Sequence, residues 1–195
     1  MFEILQNINK EILVSLNSLT EIKFIADIVY VFADAPVFLI PLFLAWYWIY
    51  KRNDSQEKKK LLLTFYSVVF AVLINIIIQQ FVHLERPETA LSGASKMILN
   101  HIPDASFPSD HAAVSIAFLT SIFLFWFVRI FLIFLPLFII MNLSRIIWWV
   151  HWPFDILVWS IIWIISAFII YKWKDFIIFE KINSFVFRIA RFFWL

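Results

Sequence analysis

Apolar residues run in long blocks along this chain, and polar residues collect at the joints between them. Five blocks stand out, at roughly 22–50, 60–83, 110–128, 130–150 and 154–172. A helix needs about 20 mostly apolar residues to cross the hydrocarbon of a bilayer, so each block predicts a transmembrane span. Residues 2–19 follow another rule. Phe2, Ile4, Leu5, Ile8, Ile12, Leu13, Leu16 and Leu19 recur at helical spacing, with Gln6, Asn7, Asn9, Lys10 and Glu11 between them. That pattern predicts an amphipathic helix lying on the membrane surface. Residues 176–195 are also apolar, but Glu180, Lys181, Arg188 and Arg191 interrupt them, which predicts a second surface helix and not a sixth span. The expected fold is an all-α integral membrane protein. It is a bundle of about five transmembrane helices with amphipathic surface helices at both ends, forming one membrane-embedded domain over residues 1–195. A short helix is expected in the 88–105 loop, and Pro36 and Pro41 predict a kink in the first span.

Composition narrows the chemistry. Hydrophobic residues make up 63% of the chain and the mean hydropathy is +0.88, far above soluble proteins. A single glycine leaves no Gly-rich nucleotide loop. The lack of cysteine excludes disulfides, thiolate catalysis and Cys-based zinc sites. A net charge of +2 gives no footprint for nucleic acid. The start of the chain, with Glu3 and Glu11 and no basic run, does not read as a cleaved signal peptide. Lys51, Arg52, Lys58, Lys59 and Lys60 crowd the first connection, and Lys172, Lys174 and Lys181 follow the last span. The positive-inside bias puts both on the cytoplasmic side, and Arg129 agrees. The 84–109 loop and the 145–155 turn then share the opposite face.

Three polar islands lie on that face: Arg86-Pro87; Pro108-Ser109-Asp110-His111; and Ser144-Arg145 followed by His151 and Asp155. Ionisable groups near lipid are costly and mark function by default. Arginine forks match phosphate oxygens, and Arg145 is embedded among Ile146, Ile147, Trp148 and Trp149. Ser109 stands where a helix N-cap belongs, and a helix N-terminus welcomes an anion. His151 and Asp155, four apart, would share a face on a helical turn, so the carboxylate could fix the imidazole tautomer. His111, just past the cap, is suited to a general-acid role. Asp27 and Asp34 are seven apart in the first span and are expected to share a face, either lining the lipid entrance or, ahead of that, pairing with neighbouring groups.

These islands resemble the signature of the type 2 phosphatidic acid phosphatase superfamily: Lys-x6-Arg-Pro, then Pro-Ser-Gly-His, then Ser-Arg-x5-His-x3-Asp. The resemblance spans residues 79–155. It implies His151 as a nucleophile that becomes phosphohistidine, Asp155 as its orienting partner, and His111 as acid and then base. It implies Arg86, Arg145 and Ser109 as holders of the phosphoryl oxygens, and it implies no metal and no cofactor. Two positions depart. Gln79 stands where the family lysine belongs, and the reading is that Asn75, Gln79, His83 and Arg86 form one helical stripe on which His83 partly replaces that lysine. Lys96 is a weaker substitute. Asp110 replaces the family glycine, and could cap the helix, pair with an arginine, or be protonated toward a second phosphate. The stretch Ser106 to His111 resembles bacterial undecaprenyl-diphosphate phosphatases. The implied function is hydrolysis of that lipid diphosphate on the outer face of a bacterial cytoplasmic membrane. Its partners would be the lipid phosphate or diphosphate substrate and membrane lipids. Siblings would act on phosphatidylglycerophosphate, phosphatidic acid or lipid A; the rival class is an inactive lipid binder or transporter.

Overall fold

The computed structural model describes residues 2–82, 84–87, 90, 107–125 and 128–192. Every described element is helical: α1 (Phe2–Asn17), α2 (Lys23–Phe32), α3 (Leu39–Tyr50), α4 (Ser55–Gln79), α5 (Asp110–Phe125), α6 (Val128–Ile147), α7 (Pro153–Lys172) and α8 (Ile177–Phe192). Among the described residues four stretches are long and apolar enough to cross a membrane: Lys23–Tyr50, Ser55–Gln79, Val128–Ile147 and Pro153–Lys172. The expected fifth span contains α5, which is apolar over its 16 described residues.

α5 is the centre of the bundle. Ala112, Ala113, Ala117, Phe118 and Ile122 on it are completely buried. Ala113 and Ala117 meet Ala71 of α4 and Trp159 and Trp163 of α7 in one core cluster. Small side chains at the crossings let three backbones approach closely, which is how membrane helices gain packing without a hydrophobic drive. A second cluster joins Phe118 and Ile122 to Ile40 of α3 and Phe138 and Met141 of α6. Outward-facing residues such as Leu42, Ile77, Ile133 and Ile161 stay exposed, a distribution that suits lipid and not water.

The first span is broken. α2 stops at Phe32 and α3 starts at Leu39, with a 3-10 turn over Ala35–Phe38 between them. Pro36 lies in that turn, as expected of a helix breaker. Pro41 does not kink anything: it sits in the first turn of α3, where a missing N–H breaks no intrahelical bond. The break also separates Asp27 from Asp34. Asp27 is exposed on α2, while Asp34 stands at the break and turns inward, so the two do not share a face.

Both ends of the chain form helices, and α1 does more than lie on a surface. Leu13 is completely buried against Ala112, Ile146 and Ile156. Asn17 Nδ2 donates to the Ile147 carbonyl at 2.7 Å, and Asn9 Oδ1 accepts from the Phe154 N–H at 3.1 Å. One helix thus satisfies the last turn of α6 and the first turn of α7, both of which leave orphan backbone groups. At the far end Asp54 caps α4 by accepting from the Gln56 and Glu57 N–H groups at 3.1 Å each. Lys59 lies 3.9 Å from both Asp175 and Glu180, so the two basic connections occupy the same face of the bundle.

Candidate active site

Ser109 is the N-cap of α5. Its Oγ accepts from the Ala112 N–H at 3.4 Å and its carbonyl from the Ala113 N–H at 2.9 Å. The hydroxyl proton remains free to donate to an anion. The preceding strand of chain is fixed from α4: Asn75 and Gln79 each donate to the Pro108 carbonyl at 3.3 Å. Both amides also donate to Asp110 Oδ1, Gln79 at 3.4 Å. Of the three expectations for Asp110, the structure favours none in pure form: the carboxylate sits in the first turn of α5 and is held by two side-chain amides.

The expected stripe from Asn75 to Arg86 stops short. α4 ends at Gln79, so Asn75 and Gln79 share a face and Arg86 is not on it. His83 and Lys96 lie outside the described residues, as does the 88–105 loop apart from Ala90. Arg86 is nevertheless buried, and next to it Pro87 is completely buried. Trp152 Nε1 donates to the Glu85 carbonyl at 3.1 Å, tying this segment to the start of α7.

Arg145 is brought to the site by the end of α6. The helix closes with a Schellman motif: Val150 N–H donates to the Arg145 carbonyl at 3.0 Å and Trp149 N–H to the Ile146 carbonyl at 3.0 Å. The residue at the reversal is Trp149, with φ of 61° in the left-handed region that favours glycine. Holding a bulky residue there costs about 1–3 kcal/mol. The indole packs against the cluster of Leu13, Ala112, Ile146 and Ile156, which offsets that cost. The reversal returns the chain to Arg145, and His151 N–H donates to the Arg145 carbonyl at 3.3 Å. His151 precedes α7, so it and Asp155 do not share a helical face; Asp155 lies in the first turn of α7 and accepts from the Trp152 N–H at 3.3 Å.

Around Arg145 the groups converge. Its Nη1 donates to Asp34 Oδ1 and to the Ala33 carbonyl, the latter at 3.2 Å. Its Nη2 lies 3.1 Å from His151 Nε2. A guanidinium has only donors, so this contact requires a bare Nε2 on His151, with the ring proton on Nδ1. His111 Nε2 lies 3.1 Å from the same Asp34 Oδ1. A carboxylate only accepts, so here Nε2 carries the proton. The two imidazoles therefore face the recess in opposite states, one offering a lone pair and one a proton. The charges of Asp34, Arg86 and Asp110 all reach Arg145. Arg145 and His151 are almost fully buried and His111 partly so.

The structure thus brings Ser109, Asp110, His111, Arg145, His151 and Gln79 together. It adds Asn9 and Asn17 behind the turn, which sequence reading missed. Asn75 of the expected stripe lies beneath the loop, and Asp34, an intramembrane acid expected to line the lipid entrance or to pair with a neighbour, stands at the centre and pairs with Arg145. Among the described residues no group of three or more His, Cys, Asp or Glu is arranged to hold a metal.

Residues 60–178 match the PAP2 superfamily. The chain is 30% identical over 163 residues to a Bacillus licheniformis protein named bacitracin transport permease protein BcrC, covering 77% of this chain and 72% of that one. The crystal structure of Aquifex aeolicus LpxE superposes with a TM-score of 0.60 over 85% of this chain and 95% of that one, at 20% identity.

Proposed function

The chain belongs to the PAP2 superfamily, and from that premise we propose that it is a metal-independent lipid phosphatase. It hydrolyses undecaprenyl diphosphate to undecaprenyl phosphate through a phosphohistidine intermediate, at the extracytoplasmic face of a bacterial cytoplasmic membrane. The observation that carries this reading is the pair of imidazoles on either side of one anion seat: a bare His151 Nε2 beside Arg145, and a protonated His111 Nε2.

Asp34 Oδ1 marks that seat, because it accepts from both Arg145 and His111. A phosphoryl oxygen of the substrate takes over these two donors and displaces the carboxylate. Arg145, Arg86, the Ser109 hydroxyl and the N-terminus of α5 then hold the transferring group, the kind of preorganised donor set that stabilises transition-state charge. His151 Nε2 attacks the terminal phosphorus, and an N–P bond forms as the P–O bond to the lipid phosphate breaks. His111, charged as the imidazolium beside Asp34, gives its Nε2 proton to the leaving oxygen and is left neutral. Asp155 stabilises the Nδ1–H form of His151 that leaves Nε2 free. Water then passes a proton to His111, breaks the N–P bond and releases inorganic phosphate. The Ser106–His111 stretch supports the diphosphate substrate, and the basic connections at the far end of the bundle support the orientation.

A second reading is transport or binding of a lipid phosphate without turnover. It is favoured by the permease name of the B. licheniformis relative and by Gln79 in place of the family lysine. Phosphate release by purified protein, with chelator present, separates the readings. Undecaprenyl diphosphate is offered beside phosphatidylglycerophosphate, phosphatidic acid and lipid A, with His151→Ala as control. Preferred release from undecaprenyl diphosphate that vanishes in the variant is expected. Preference for another lipid overturns the substrate, and folded protein that binds lipid phosphate but releases none selects the second reading.

A further inference from the structure

At the end of the bundle opposite Arg145 lies a pocket of about 330 Å³ between the α3–α4 connection and α8, lined by Arg52, Asn53, Ser55, Lys58, Phe187 and Arg191. Its volume falls at the lower end of pockets that hold small ligands. Three of its walls are cationic. Lys58 is 5% exposed, and its Nζ sits 4.5 Å above the Trp48 ring. Arg191 Nε donates to the Phe187 carbonyl at 3.3 Å, which uses one donor and brings no negative charge.

The carboxylates nearby are committed elsewhere. Asp54 caps α4, Glu57 takes Lys60 at 2.5 Å and the Tyr47 hydroxyl at 2.7 Å, and Asp175 and Glu180 face Lys59. Among the described residues, Arg52, Lys58 and Arg191 have no carboxylate within 4.0 Å. The Lys58 ammonium has an aromatic face and no carboxylate beside it, and a ring offers far less than a paired anion. An anion from outside the protein would supply the missing counter-charge.

The pocket wall says where it comes from. α8 exposes Ile178, Ile182, Phe185, Ile189 and Phe192, one stripe at helical spacing, while Asn183 and Ala190 face the bundle. Tyr66 of α4 donates its hydroxyl to Asn183 Oδ1 at 2.9 Å and so fixes α8 against the spans. A helix with such a stripe lies at the headgroup level of a leaflet. We propose that this pocket binds the phosphate of an anionic lipid headgroup in the leaflet opposite the catalytic face, with Lys58, Arg52 and Arg191 as its counter-charges.

The test uses the full chain in nanodiscs containing equal phosphatidylcholine and phosphatidylglycerol, with retained lipid counted by native mass spectrometry after extraction. Phosphatidylglycerol is expected to be retained in preference. Lys58→Met and Arg191→Gln should each lower that preference about fivefold, the contribution of one cation near an anionic surface. Arg191 is exposed, so its variant keeps the test intact if Lys58→Met fails to fold. Lys174→Gln, on the same face but outside the pocket, and His151→Ala should leave the preference unchanged. Equal retention of the two lipids overturns the proposal, and so does an equal loss in Lys174→Gln, which would mean diffuse surface charge. Thermal stabilisation by inorganic phosphate matching that by the lipid, and lost in the same variants, overturns the lipid source. Protein that keeps the preference yet hydrolyses nothing leaves this site standing and removes the proposed function.

Discussion

The two ends of α4 settle charge in opposite ways. Near Gln79 the cation Arg145 already has an internal anion, Asp34, and the carboxylate of Asp110 is held by the amides of Asn75 and Gln79. Near Ser55 three cations line a pocket with no carboxylate against them among the described residues. At the first end an incoming phosphate must compete with a group the protein supplies. At the second it meets uncompensated charge. Occupancy by a self-supplied anion would suit turnover, because under the proposed mechanism the returning carboxylate displaces product phosphate; an open cationic pocket would suit standing occupancy.

The largest effect is expected at the proposed nucleophile. His151→Ala should lower phosphate release at least about 10³-fold in protein that still folds. Arg145→Lys comes next. It keeps the charge but loses the fork that spans Asp34 and His151, and should cost about 10²-fold in kcat/KM. Asp34→Asn attacks the comparison directly. Without the internal anion the catalytic end should behave like the basic end, and inhibition by inorganic phosphate should tighten about tenfold, or ~1.4 kcal/mol. If inhibition is unchanged in Asp34→Asn, the carboxylate does not compete for the seat.

Gln79→Lys sharpens the same point. The new ammonium would face Asp110, which the amide now contacts, so alone it should raise the rate less than about threefold. Paired with Asp110→Gly it should gain more than the two single changes combined, as a double-mutant cycle would read. The smallest effect is expected behind the site. Asn9→Ala and Asn17→Ala each remove one backbone satisfaction at the α6–α7 turn, worth about 1 kcal/mol each, visible as a small fall in melting temperature and not as a change in KM.

The helices were legible because hydropathy reports the solvent of each segment, and a bilayer makes that signal strong. The ends were less so. The apolar run past Gln79 reads as helix, but α4 stops where its amides reach the Pro108 loop, a contact 29 residues away. The third polar island was legible because its members are close in sequence. Asp34 was visible as an acid in a span but not as a site residue, because its partner Arg145 lies 111 positions further on and no local spacing encodes that pairing. The helical face expected to carry both His151 and Asp155 is not formed, for a related reason. A spacing of four implies a shared face only inside a helix, and α7 begins at Pro153.

The left-handed turn at Trp149 has a consequence for any attempt to improve this fold by substitution. Glycine would take the φ of 61° without steric cost, but it would remove the indole that packs against Leu13, Ala112, Ile146 and Ile156. Backbone ease and packing therefore pull in opposite directions at one position. Leu13 belongs to α1 and Ala112 to α5, so the indole registers the turn before His151 against two helices at once, and a gain in local comfort there is a loss of that registration.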